Sequence, residues 1–493
     1  MLRLLLFSFR KQLNESSLIR NPMAQYWLTR FCFQRFLAVI YLMAFLVTLN
    51  QFRPLIGVHG LTPVPIYLKR VRFWEAPSLF WVNSSDGFMA AAAWVGLLLS
   101  VIAMVGLSER FGIWVSAGIW FLLWLIYLSF VNVGQIFYGF GWEILLLEAG
   151  FLAVFLGSSD TKTPVVIIWL LRWLLFRVLF GAGMIKLRGD SCWRDLTCLI
   201  YHYETQPLPN PLSWYLHHLP PLAHKGGTLF THFVELVVPW GVFAPGLVGC
   251  VAGVFSVLFQ ITLILSGNLS WLNYLTLALS LSCFDDQFLS HWVPLSVPAT
   301  DPISGIRQGI ILALGMLILF LSIPPVLNLI SPRQIMNTSF EPLHLVNTYG
   351  AFGSVTRERM EIIIEGTNER VLTPATQWQA YEFKAKPGDV RRRPPIVAPY
   401  HYRLDWLMWF AAMSDYWHHP WFLDLVRKLL EGDRETLKLL ANNPFSDFPP
   451  QFIRADLYEY HFTGSREKEG AWWRRRRVET YLRPVSLQDF KNG

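Results

Sequence analysis

Hydrophobic and polar positions divide the chain into two unequal parts. Apolar runs almost free of charge fill residues 36 to 330 and stop there. A helix needs about 20 apolar residues to cross a hydrocarbon core, and the runs near 36–52, 88–107, 112–133, 165–187, 228–245, 247–266 and 306–328 meet that length. Two further runs, 142–156 and 270–284, are short for full spans, so the pattern predicts seven to nine crossings. After Ile330 the text changes to Pro, Asn, Ser and alternating charge. Strand-like alternation there covers Arg359 to Glu365, Tyr381 to Lys386, Ala455 to Thr463 and Trp472 to Tyr481, and helical spacing covers Leu404 to Ser414, Trp421 to Leu430 and Arg434 to Ala441. The fold class is therefore a multipass all-α membrane domain followed by a smaller α+β soluble domain with an antiparallel sheet. Its parts are a basic N-terminal tail (1–35), a helical transmembrane domain (36–330) and the α+β domain (331–493).

Charge sets the expected orientation. Arg3, Arg10, Lys11, Arg20, Arg30 and Arg35 precede the first span with only Glu15 against them, which places the tail on the cytoplasmic side. No small-residue cleavage pattern follows its short apolar run, so the tail is not read as a cleaved signal. An odd number of crossings then carries the last domain to the non-cytoplasmic side. Composition agrees with the membrane: 53% of residues are hydrophobic and only 15% charged. The net charge of +8 is mostly membrane-flanking, because residues 331–493 carry 23 Lys and Arg against 20 Asp and Glu. Nucleic acid is not an expected partner.

Several residues invite chemistry. Glu143 and Glu148 lie inside an apolar stretch, where a carboxylate needs a partner. The choice is a shared proton or metal site, or separate pairing with an arginine such as Arg172 or Arg177, and the second is preferred. Lys186 ends an apolar helix just after Gly181 and Gly183. It is the only candidate catalytic residue: a desolvated lysine can act as a base, although an ammonium that snorkels to the interface is the expected reading. Arg188, Asp190, Arg194 and Asp195 alternate in sign and should form ion pairs. His202, Glu204, His217, His218, His232 and Glu235 lack the H-x-x-x-H spacing of a zinc helix, so neither a metal nor another cofactor is expected. Cys192 and Cys198, six apart in a loop, can form a local disulfide on an oxidising side. No G-x-S-x-G elbow, P-loop or dinucleotide fingerprint occurs.

The last part carries an aromatic-rich segment from Tyr400 to Phe422, with Tyr402, Trp406, Trp409, Phe410, Tyr416, Trp417 and Trp421 inside it. Leu404, Leu407, Phe410 and Ala411 share helical spacing and read as core. The remaining aromatics can form an interfacial belt or a surface for an apolar partner. On the second reading the contact residues are Tyr349 and Phe352 from NTYGAFG together with Tyr400, Tyr402, Arg403, Trp406, Trp409, Trp417 and Trp421, and Arg391, Arg392 and Arg393 would hold acidic groups.

Long strings from about Tyr26 to Ser486 resemble the lipase maturation factor family: NVGQIFYGFGWEILLLEAGFLAVFL, GAGMIKLRGDSCWRDLTCLIYHYETQPLPNPLSWYLHH, SGNLSWLNYLT with SCFDD, SPRQIMNT, LHLVNTYGAFGSVTRER and YHYRLDWLMWFAA. The resemblance implies a multipass protein of the endoplasmic reticulum membrane, or of the inner membrane in a bacterium. It implies a lumenal C-terminal domain, a secreted lipase as client and a chaperone-like role in maturation. It supplies no catalytic residues. Around GMIKL the chain also looks distantly like the vitamin K-dependent γ-carboxylase, where a lysine acts as base. This gives two alternatives: a membrane enzyme acting on a lipid or quinol-linked substrate, or a scaffold for lumenal redox or chaperone proteins. Animal members of the family tend to carry a cysteine pair where this chain has Ala385 and Ile396, a departure that leaves the client's identity open.

Overall fold

The structure, a computed structural model, describes residues 25–464 and 470–490. The first 24 residues of the expected basic tail lie outside them. In chain order the membrane part runs α1 (Trp27–Ile56), α2 (Asp86–Met104), α3 (Ile113–Val133), α4 (Gly141–Ala153), α5 (Val165–Arg188), α6 (Cys198–Thr205), α7 (Pro221–His232), α8 (Leu247–Ser266), α9 (Leu272–Cys283) and α10 (Gly305–Ile330). Among the described residues, six of these are long and apolar enough to cross a membrane: α1, α2, α3, α5, α8 and α10. By length, six spans stand where seven to nine were expected. Helices α4 and α9 rise only about 20 Å and 18 Å at 1.5 Å per residue, less than the roughly 30 Å of a hydrocarbon core. The run expected at 228–245 is broken, because α7 gives way to a wide π turn over Phe233–Val237 and Pro239 follows it.

Close approach of the helices depends on small residues. A methyl group at Gly96 of α2 would enter the Phe45 ring of α1, and one at Gly150 of α4 would strike the Tyr41 hydroxyl. Without a water-driven force between helices in lipid, such backbone proximity supplies the packing.

The two ends of α1 lie at opposite faces of the bundle. At its start, the N–H groups of Trp27 and Leu28 donate to the Asp286 carboxylate at 3.0 and 2.7 Å, and Arg30 donates to the carbonyls of Ser158 and Thr161. Near its end, Gln51 donates to the His401 carbonyl at 2.7 Å and accepts from the Arg403 N–H at 3.0 Å. The C-terminal part is therefore seated on the face opposite the start of α1.

That part is built on an antiparallel sheet of β1 (Arg359–Thr367), β2 (Gln379–Ala380), β5 (Phe452–Phe462) and β6 (Trp473–Val485) in the order β2-β1-β5-β6, with β3 (Glu382–Phe383) and β4 (Leu440–Asn442) forming a separate pair. Register runs from Arg359 opposite Tyr460 to Thr367 opposite Phe452, while β6 carries bulges. The strand expected over Tyr381 to Lys386 stops early, since the Asp405 carboxylate takes the N–H groups of Ala385 and Lys386 at 2.5 and 3.1 Å and removes them from sheet pairing. Helix α11 (Arg403–Ala411) and α12 (Pro420–Leu430) pack beside this sheet, with Trp421, Phe422, Leu425, Val426 and Leu429 of α12 buried. The helix expected over Arg434 to Ala441 ends at Leu437, because Leu440 is drawn into pairing with Phe383.

Candidate functional site

Buried charges join the two parts. Glu143, at the start of α4, is met by Arg403, at the start of α11, at 2.6 Å, and both side chains are fully buried. Arg403 also donates to the Phe137 carbonyl at 2.6 Å and lies 3.6 Å from the centre of the Tyr138 ring. The assignment of Arg403 to a client surface is thus corrected: its cation is consumed inside the protein. Glu148 pairs with Arg177, one of the two arginines expected for it. The strap Asn347–Gly353 closes over that pair, with the Asn347 N–H at 3.1 Å and the Tyr349 hydroxyl at 2.8 Å from Glu148. It lies directly on α5, where a methyl at Gly181 would strike the Tyr349 carbonyl. Tyr349 is consequently buried and offers no contact surface.

Lys186 does not snorkel. Its ammonium donates to both Glu235 oxygens at 2.6 and 2.8 Å, with both residues buried, and lies over the Trp193 ring. The π turn at Phe233–Val237 carries Glu235 to it. The alternating charges after Lys186 pair elsewhere than expected: Asp190 binds Arg357 at 2.7 Å, Arg188 donates to Gln334, and Arg194 donates to the Leu187 carbonyl. Arg357 holds the Asp190 carboxyl down to about 2 through its hydrogen bond. Cys192 and Cys198 are joined as a disulfide and are buried beside Trp193 and Val355.

Above this loop, a cavity of about 180 Å³ opens between α6, the end of the strap and α11. His202 and Thr205 come from α6, Phe352 from the strap and Val355 from the segment after it, and Trp409 and Met413 from α11 and the turn after it. Phe352 is held at φ +54°, a left-handed backbone rare for a bulky residue. Its carbonyl accepts from the Trp193 indole at 2.8 Å, and its ring meets His202 edge-on at 4.8 Å. Trp409 is fixed by its indole N–H on the Thr205 carbonyl at 3.0 Å. Beside it, Phe410 and Met413 are exposed, and Trp417 is 72% exposed.

Of the expected contact aromatics, Phe352 and Trp409 thus share a cavity, and Trp417 lies on the open surface. Trp406 and Trp421 are buried, the first against Phe140 and Trp142 and the second against Phe137. The Tyr400 and Tyr402 rings meet at a tilt with centres 5.0 Å apart, and Tyr400 accepts from Asn50 and Gln51 near the end of α1; neither lines the cavity. Phe410, expected in the core, is at the surface, and Met413 and His202 were not anticipated at this site. The four-residue step from Trp409 to Met413 was the available signal for Met413, since such positions share a helix face. Arg392 is occupied by the carbonyls of Phe383 and Lys384 rather than free for an acidic group.

Comparison with known sequences finds the model of the lipase maturation factor transmembrane domain over residues 28–291 and that of the lipase maturation factor C-terminal domain over 345–483. This chain belongs to the lipase maturation factor family. Lipase maturation factor 1 of Bos taurus is 45% identical to it, with 94% of this chain and 90% of that protein aligned. For the Mus musculus protein of the same name the identity is 44%, with 97% and 92% aligned. Lipase maturation factor 2 of Homo sapiens is 29% identical over 94% of this chain and 83% of its own. No solved structure matches. The distant likeness to the γ-carboxylase finds no support among these relatives, and neither does the enzyme or scaffold alternative. The two matched domains are joined in this chain by the ion pairs and hydrogen bonds described above.

Proposed function

We propose that this family member is a membrane-bound maturation factor that assists secreted lipases to fold and assemble into active form. The single observation that carries the reading is alignment of nearly the whole chain, at 44–45% identity, with proteins named lipase maturation factor 1. It acts at the endoplasmic reticulum membrane, with the C-terminal domain in the lumen and the start of α1 on the cytosolic face. The seating of that domain opposite the start of α1 supports this orientation. Beside the six full-length helices, the shorter α4 and α9 and the broken stretch after α7 also run between the two faces, so the number of passes is odd.

Client contact falls on a rim of exposed side chains along α11 and the turns after it, Phe410, Met413 and Trp417, and on the cavity that Met413 lines. A folding helper has to hold apolar surface that its client later buries, and exposed rigid aromatics do so at low entropic cost. The rim satisfies that need without being required for the domain's own core, unlike Tyr349, Trp406 and Trp421. The test is co-expression of a secreted dimeric lipase with the parent chain or with the triple variant Phe410→Ser, Met413→Ser, Trp417→Ser, in cells lacking an endogenous factor. Secreted lipase activity should fall severalfold with normal levels of the membrane protein. Unchanged activity at equal expression would move the client site elsewhere.

A further inference from the structure

The cavity behind the rim contains a polar group without a partner. His202 is only 8% exposed, yet its ring nitrogens make no hydrogen bond among the described residues. They are not sealed from space either, because the ring lines the cavity. A buried polar group normally has a hydrogen-bond partner, and leaving one unmade costs about 1–3 kcal/mol. Burial first, and the nearby Lys186 cation second, push the His202 imidazole down to about 4, so the ring is neutral at physiological pH and offers one donor and one acceptor.

The rest of the wall is chosen for a ring. Phe352 and Trp409 supply aromatic faces and edges, and Met413 supplies a polarisable thioether. A volume of about 180 Å³ suits a single six-membered ring with one substituent, since an apolar cavity of about 150 Å³ in another protein takes up benzene. Ser354 and Thr356, both exposed, make the mouth hydrophilic and open it to water rather than to lipid. An ionised ligand is disfavoured by the apolar wall. We propose that this cavity receives one tyrosine side chain of the client, with its ring between Phe352 and Trp409 and its hydroxyl hydrogen-bonded to His202. The inference rests on the client-binding reading of the same rim and names the residue that reading leaves open.

The backbone explains why the cavity keeps its shape. Phe352 cannot relax into the cavity, because its carbonyl is tied to Trp193 and the Gly353 carbonyl accepts the Asp190 N–H at 2.9 Å. Trp193 is in turn held next to the Cys192–Cys198 bridge and accepts, through its carbonyl, a hydrogen bond with the His232 ring. Strained backbone that the surroundings over-determine is characteristic of ligand clamps.

The experiment uses the full chain in lipid nanodiscs and two probes, N-acetyl-tyrosinamide and N-acetyl-phenylalaninamide, read by saturation-transfer NMR. The tyrosine probe should bind roughly fivefold more tightly, the worth of about one hydrogen bond. His202→Phe should abolish that preference while retaining binding of the phenylalanine probe, and Thr356→Trp, on the exposed mouth, should block both. Equal binding of the two probes to the parent, or a preference that survives His202→Phe, overturns the proposal. Should His202→Phe fail to fold, Thr356→Trp decides it: unaltered tyrosine binding in that variant places the probe elsewhere. The two readings fail separately. Loss of lipase activation in the rim variant with no tyrosine preference leaves the client surface standing and removes the pocket. A tyrosine preference with full lipase activation by Thr356→Trp removes the client as its occupant.

Discussion

Arg403→Met should loosen the seat of the C-terminal domain, and Glu143→Gln introduced with it should restore that seat. In the parent, Glu143 receives Arg403 at 2.6 Å, the Tyr127 hydroxyl, and the Trp142 indole at 3.2 Å. Removing the cation leaves a fully buried carboxylate with two neutral donors. Breaking one side of a buried pair costs about 3–5 kcal/mol, whereas replacing both partners by neutral groups of similar volume is close to neutral or stabilising. At 1.4 kcal/mol per tenfold, the single variant should open α11 about 10²- to 4 × 10³-fold more often. The assay is hydrogen exchange of the Leu404–Ala411 amides in micelles, where opening sets the rate. Exchange in Arg403→Met should accelerate by that factor, and the double variant should return to within about tenfold of the parent. A single variant that exchanges like the parent, or a double variant as fast as the single, would refute the claim that charge neutralisation holds this joint.

Lys186→Met should lower the yield of folded protein for the same reason, with Glu235 left uncompensated; Lys186→Met with Glu235→Gln should recover both yield and lipase activation, and loss of activation by a well-folded double variant would return Lys186 to a chemical role. His461 of β5 sits 3.2 Å from Glu204 and 2.9 Å from Glu459, near His217. Its burial opposes the charge, but the hydrogen bond it donates to Glu459 and the charge of Glu204 outweigh it and its pKa is raised. The stability it contributes is fully present below the ordinary histidine value near 6.5 and is lost as pH rises through the raised folded value. Thermal midpoints should therefore fall over that window in the parent and be flatter in His461→Gln. Cys192→Ser with Cys198→Ser should destabilise by roughly 2 kcal/mol, the loop-closure entropy of a short ring, seen as a lower unfolding midpoint, and mass spectrometry of the parent should find the two thiols bonded. Ser331→Cys should be labelled by an impermeant maleimide only from the non-cytoplasmic side, and labelling from the cytosol would reverse the proposed orientation.

Much of this architecture is local and therefore readable in the sequence. Hydropathy over 20 residues reports a solvent, so the membrane part and its end near Ile330 were visible, and β1, β5 and β6 were visible from two-residue alternation. The bond between Cys192 and Cys198 joins positions only six apart. Crossing number was less secure, because a sliding window does not register that α9 is too short or that a π turn interrupts the stretch after α7. What only the tertiary structure decided is the partner of each buried group. Glu143 and Arg403 are 260 positions apart, and Glu148 and Tyr349 are 201 apart. Nothing in the surroundings of Arg403 along the chain tells a client-facing cation from a buried one. The same holds for aromatics: Trp406 and Trp409 stand three apart on one helix, yet one is buried against Phe140 and the other borders an open cavity. Composition sets how many rings a domain carries. Which of them face water is fixed by the elements that happen to pack above each one, and those come from distant parts of the chain.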